Sequence, residues 1–295
     1  MNYRHAYHAG NFADCVKHII LTLCIVYMQR KEQAFRVLDT HAGPGLYDLA
    51  GEAAQKTGEW RGGVSRLLEA ETPSEVAELI APWRDIVREI AGTGELPLAY
   101  PGSPLIVRKL LRPQDRLSAI ELLPQDAAAL KALFAGDHQV RVTELDGWLA
   151  LKGHLPPKEK RGLVLIDPPY EKRDDFDTMA KHLAAAWRRF PGGVYLLWYP
   201  VKNRAAVATF RTRLAGLGIP RILDTAVEIR GVAKGDETFD GTGMAIVNPP
   251  HVLLAQLQKL LPWLTNALAV DSGATFRLEW LAGEGTGGAA AAKRS

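Results

Sequence analysis

Apolar positions along the chain follow two rhythms, short unbroken runs and longer stretches in which apolar residues return every third or fourth position. The second rhythm predicts a helix over residues 11–30, and the first a strand over 35–40. Beyond residue 116 the two alternate: strand 117–122, helix 124–134, strand 140–145, short helix 147–152, strand 163–166, helix 176–190, strand 193–199, helix 202–214. Strands separated by helices of this length need crossover connections, so the pattern predicts an α/β fold with a mostly parallel sheet covered on both faces. The last part changes character: 219–229 and 243–247 are expected to pair as an antiparallel hairpin before a helix over 251–268.

Residues 46–100 interrupt the alternation. They are helical and charged, with turn signals at Thr72-Pro73-Ser74 and Gly92-Thr93-Gly94 and no convincing strand. This stretch reads as an inserted helical subdomain, leaving 1–45 and 101–281 as the core. Pro101-Gly102-Ser103-Pro104 then opens another helix, with Pro104 in its favoured first turn. The low-complexity tail over 282–295 is expected to be disordered.

At 295 residues the chain can hold one large α/β domain with an insertion. A net charge of +3 permits a nucleic-acid partner without demanding one. Lys158, Lys160, Arg161, Lys172 and Arg173, then Arg188, Arg189, Lys202 and Arg204, read either as a phosphate-binding rim or as solvated faces. Cys15 and Cys24 lie nine residues apart on one predicted helix, about 13 Å along its axis. A disulfide needs Cα atoms closer than about 7 Å, so both are expected to be free thiols in a reducing compartment. The apolar run 19–28 is too short to cross a bilayer and lacks a small-residue cleavage site, so the expectation is a cytoplasmic protein without a membrane segment.

Candidate chemistry concentrates at Asp167-Pro168-Pro169-Tyr170, directly after the apolar run 162–166. An exocyclic amine on a nucleobase is a poor nucleophile until acceptors hold both N–H groups. The Asp167 carboxylate accepts one in this reading, the Pro168 carbonyl the other, and Tyr170 stacks on the base, a contact worth roughly 1–3 kcal/mol. The two prolines stiffen the backbone so that its carbonyls point outward. An ordinary strand-to-loop turn is the alternative. A similar run, Asn248-Pro249-Pro250, continues into His251 and a helix, which makes Asn248 a cap and Pro249 a first-turn residue.

In an open parallel sheet ligands bind beyond the carboxyl ends of the strands, where strand order reverses. Those ends carry Asp39 followed by Gly43-Pro44-Gly45, then Glu121, then Asp146-Gly147, then Asp167. A tight glycine turn lets a ligand approach the backbone, Glu121 suits two ribose hydroxyls, and Asp146 suits an adenine amino group. Neither a dinucleotide loop nor a Walker lysine is present. The ordered set points to S-adenosyl-L-methionine, although each residue alone is also a common turn former or cap. His5, His8, His18 and Asp14 lack the spacing and the further carboxylate of a metal site, and no metal is expected.

Taken with Tyr3-Arg4-His5, His8-Ala9-Gly10-Asn11, Ala13-Asp14, Lys17-His18, the 38–43 block, the 101–105 block and Leu197-Trp198-Tyr199-Pro200, the chain resembles the 23S rRNA adenine-N6 methyltransferase J family, whose members also carry the label of proteins for catabolism of external DNA. The resemblance runs from the first residues to about Leu281. It implies a Rossmann-like methyltransferase core with an inserted helical subdomain. It implies also that His18, His41, Ser103, Glu121, Asp146 and Gly147 contact the methyl donor, that Asp167 is at the catalytic centre, that Tyr3 touches the RNA, and that the N-terminal segment is a lid. Pro44 makes the glycine turn stiffer than a small residue would. The function so implied is methylation of N6 of an adenine in 23S rRNA, naked or in an early assembly intermediate, by a monomer. DNA, a protein glutamine, or a non-catalytic role in using external DNA stand as alternatives.

Overall fold

The computed structural model describes residues 5–92, 94, 96–172, 174–231 and 238–283, so Tyr3, Arg173 and the tail from 284 lie outside the described residues. A 3-10 turn, His5–Tyr7, leads into α1 (Phe12–Met28). The Asn11 side chain caps that helix by accepting from the Ala13 and Asp14 N–H groups, two of the donors a helix start leaves unpaired. Strand β1 (Arg36–Asp39) follows, then β2 (Leu46–Asp48), α2 (Glu52–Thr57), a π-helical turn (Arg61–Ser65), α3 (Arg66–Glu69), α4 (Ser74–Ala91) and β3 (Ala99–Pro101). The remainder alternates: α5 (Ser103–Leu110), β4 (Arg116–Glu121), α6 (Pro124–Leu133), β5 (Val140–Glu144), α7 (Gly147–His154), β6 (Gly162–Ile166), α8 (Asp175–Arg189), β7 (Val194–Val201), α9 (Arg204–Ala215), β8 (Ile222–Glu228), β9 (Gly241–Val247), α10 (Leu253–Leu268) and β10 (Thr275–Ala282).

Eight strands form one sheet in the order β10-β8-β9-β7-β6-β1-β4-β5. β5, β4, β1, β6 and β7 are parallel neighbours, whereas β9 runs antiparallel to both β7 and β8. From β1 the chain moves outward through β4 to β5, then crosses back to place β6 on the other side of β1. Strand order therefore reverses between β1 and β6, which opens a crevice at their carboxyl ends. Alternate side chains along each strand enter opposite cores. Leu163 and Leu165 of β6 join a layer with α1, α5 and α10, while Val164 and Ile166 join one with α7, α8 and α9. Burial on both faces explains why β6 reads as an unbroken apolar run.

The predicted alternation and the β8–β9 hairpin are present, but three strands had no visible counterpart. β2 and β3 are three-residue strands that pair with each other at the neck of the insertion. β10 adds antiparallel to β8 at the sheet edge, and its exposed, irregular pattern hides the alternation that marks a half-buried strand. Ala282 belongs to this strand rather than to the tail. Trp60, Leu67, Val76, Ile80 and Trp83 of the insertion are buried in the same cluster as α1 and α10. Both cysteines are buried free thiols. No helix among the described residues is long and apolar enough to cross a membrane.

Candidate active site

A cleft of about 1160 Å³ lies over the crevice between β1 and β6. Its lining brings together His18, His41, Gly43, Ser103, Glu121, Asp146, Gly147, Asp167 and Pro168 from six separate stretches of sequence. Glu121 ends β4 and accepts the Gly43 N–H at 2.8 Å and the Leu123 N–H at 2.7 Å, which ties the glycine turn to the neighbouring strand. Burial nonetheless raises its pKa above the usual carboxylate value, against those two backbone bonds. Asp146 caps α7 with one oxygen, which accepts from the Trp148 and Leu149 N–H groups. The next residue must be glycine: a Cβ on Gly147 would stand 2.3 Å from the Thr40 carbonyl oxygen and 2.9 Å from the His41 ring.

Two of the cleft histidines, His18 and His41, are held neutral. His18 is pushed down to about 3 by burial and by the Lys17 charge. Its Nδ1 lies 2.8 Å from the Tyr100 hydroxyl, while Nε2 is buried without a protein partner. Burial pushes His41 down to about 4, and its ring meets the edge of Trp148 at 5.3 Å. Deeper down, the Ser103 hydroxyl donates to Asp39 at 2.6 Å.

Asp167 is held from behind by a charge network that the motifs alone did not reveal. Lys17 Nζ sits 2.5 Å from Asp167 and 2.8 Å from Asp14, although Lys17 and Asp14 are only 4% and 2% exposed. Asp14 also accepts from His5 at 2.9 Å and from the Gly10 N–H at 3.0 Å. Burial works against the Lys17 charge, but the Asp14 and Asp167 carboxylates outweigh it and raise the ammonium pKa. Asp14 is drawn well below the usual range, burial being overcome by His5 and Lys17. A lysine and an aspartate three residues apart in a helix that is buried along most of its length and largely apolar were the available signal. Lone charges are almost never buried there unless paired. The other histidine of the N-terminal block, His8, turns instead to Glu59 at 2.9 Å.

Tyr170 stands apart from the cleft. It lines an adjoining depression of about 490 Å³ together with Trp198, Pro200, Lys202 and Phe239, and this depression meets the cleft at Asp167, Pro169, Lys17 and His5. The tyrosine has a left-handed backbone (φ 52°), donates its hydroxyl to the Trp198 carbonyl at 2.7 Å and packs against Phe176. Trp198 is pinned in turn by its indole N–H to Thr242 at 2.8 Å. The basic residues that flank the motif in sequence do not gather around it. Lys158, Lys160 and Arg161 precede β6 and therefore lie at the opposite edge of the sheet, where Arg189 at the end of α8 also donates to Leu155. Lys172 and Lys202 remain on the cleft side, and Arg204 is taken up by Glu228.

Residues 32–282 match the family model described as Ribosomal RNA large subunit methyltransferase D, RlmJ. The chain belongs to this family. It is 38% identical over 284 residues to the Ribosomal RNA large subunit methyltransferase J of Haemophilus influenzae, covering 96% of this chain and 100% of that protein. The protein of the same name from Escherichia coli is 38% identical over 286 residues, with the same coverage. A crystal structure of a Legionella pneumophila protein superposes with a TM-score of 0.84 at 30% identity, covering 92% of this chain and 98% of that one. Membership of this family agrees with the resemblance carried by the motifs, and the fold is that of its Rossmann-like methyltransferases.

Proposed function

We propose that this chain methylates N6 of an adenine in 23S ribosomal RNA, with S-adenosyl-L-methionine as donor. Asp167 carries the reading, because it stands on the boundary between a cleft with donor-binding chemistry and a depression with room for a base. The residues present fit the donor. The orphaned Nε2 of His18 needs a partner in the cleft, and the missing Cβ of Gly147 leaves its wall open. Glu121 would hold the ribose hydroxyls, the second oxygen of Asp146 the adenine amino group, and His18, His41, Gly43 and Ser103 the remaining contacts. When bound, the donor supplies an electrophilic methyl on a positively charged sulfur.

The chain's own residues do the positioning. Asp167 and the Pro168 carbonyl accept the two N–H groups of the target amine and turn its lone pair toward the cleft. Lys17 fixes one Asp167 oxygen, leaving the other for the amine, and the proton released on transfer passes to Asp167 or to water. Tyr170 shapes the aromatic side of the base pocket, and Tyr3 reaches the RNA. Catalysis on this account is orientation and preset electrostatics. A base engaged this way has left its stack, which favours naked RNA or an early assembly intermediate as substrate for a cytoplasmic monomer.

Nucleoside mass spectrometry of 23S rRNA and DNA from cells with the gene, without it, and with Asp167→Ala provides the test. The expected outcome is loss of rRNA N6-methyladenosine in the last two, with in vitro transfer down by about a hundredfold or more and donor binding intact. Unchanged rRNA N6-methyladenosine in the deletion overturns the reading, and a change confined to DNA moves the substrate there.

A further inference from the structure

The edge of the sheet opposite the cleft has an opening of its own. About 730 Å³ of space lies between the end of α1, the residues that follow it, the entries of β6 and β7, and His251. Three cations face it: Arg30, Lys31 and Arg161. None forms an ion pair among the described residues, since Asp115 is engaged by Arg112 and Glu159 by Arg36, while Glu32 adds to the field at Arg112. Arg161 spends two donors on backbone, the Met28 carbonyl at 2.9 Å and the Gln33 carbonyl, and it has further N–H groups available. Burial and the nearby Arg112 charge lower its pKa, only partly opposed by the Asp115 carboxylate, which Arg112 already holds.

One wall is aromatic and held in place. The Tyr27 hydroxyl is 2.9 Å from His251 Nδ1, the two rings meet edge-on at 5.2 Å, and the Arg30 guanidinium lies 5.4 Å from the centre of the tyrosine ring. Unpaired cations around such a wall suit a phosphate with its sugar or base attached. Lys158, Lys160, Arg188 and Arg189 are exposed at the same end and carry the positive field beyond the opening. A lone anion has no use for that extension, whereas a chain of phosphates does.

We propose that this opening binds a phosphate of the substrate RNA backbone, remote from the methylated base. The inference rests on the rRNA reading above. Met28 lies eleven residues along α1 from Lys17, about 16 Å, so the contact would set affinity and register without touching the chemistry.

Arg30 and Lys31 are exposed and can be removed without disturbing the core, while Arg161 is left to hold the end of α1. For Arg30→Ala/Lys31→Ala, donor affinity by calorimetry and kcat at saturating RNA are expected to match the wild type. The KM for a 23S rRNA transcript should rise about tenfold near 0.1 M KCl, and the slope of log affinity against log salt should become shallower by about 1. Unchanged RNA affinity and slope overturn the proposal. So does a result in which inorganic phosphate, followed by phosphorus NMR, binds the wild type but not the variant while RNA binding is the same in both. Failure of the wild type to bind or methylate 23S rRNA would instead remove the functional reading on which this inference rests.

Discussion

Asp39 shows how the site stores electrostatic tension in a single side chain. It is 0% exposed at the end of β1, and burial pushes its carboxyl up to about 7 against the Ser103 hydroxyl, the Lys17 charge and the His41 N–H, with the Asp167 charge adding to the rise. Between about pH 4 and pH 7 the unfolded chain has released this proton while the native protein retains it, so this group makes stability fall as pH rises through that window. Asp39→Asn, which cannot ionise, should therefore gain on the wild type by up to about 4 kcal/mol between pH 4 and pH 7. Urea denaturation at a series of pH values checks this, and a pH-independent difference would show Asp39 to be ionised in the native state. His18 and His41 act in the other sense: both are neutral when folded and protonated below about 6.5 when unfolded, so they favour folding as pH rises toward that value.

The elements that frame the site depend on one another for burial. α1 is covered nearly along its whole length, by α5 and the sheet on one side and by the insertion and α10 on others. Gly63 in the π-helical turn shows how close that contact is, since a Cβ there would stand 2.2 Å from the Gly10 carbonyl oxygen. Because Lys17 and His18 project from α1, the insertion helps position the site without lining much of it. Trp83 of α4 is fully buried in the shared cluster. Trp83→Ala should cost roughly 3–5 kcal/mol and move a single unfolding transition that both far-ultraviolet dichroism and donor-site fluorescence follow together. Two separated transitions would mean that the insertion folds by itself.

For the molecule as a whole, the two edges of the sheet divide the work. The carboxyl edge gathers the acids, histidines and glycines of the cleft, and the amino edge gathers cations that form no ion pair among the described residues. A donor that binds only the folded cleft stabilises the whole protein through mass action, by about 2.7 kcal/mol at a hundred times its dissociation constant. S-adenosyl-L-methionine at that level is thus expected to raise the melting temperature by several degrees in both the wild type and Asp167→Ala, as read by scanning calorimetry. Gly147→Ala, which drives a methyl into Thr40 and His41, should abolish the rise.

What the sequence determined by itself was the run of elements and the identity of the strand-end residues. Burial on one face or two leaves its period in the residues themselves, and the turn chemistry after β1, β4, β5 and β6 is local. The strand-end site could be read because a parallel sheet brings all its carboxyl ends to one side. Only tertiary structure decided that Lys17 would reach Asp167 across 150 positions of sequence, that Tyr170 would turn out of the cleft, and that the flanking basic residues would go to opposite edges. Those outcomes depend on strand order, on helix placement and on the direction each chain segment travels between the two edges of the sheet. A one-dimensional pattern of polar and apolar positions carries none of that information.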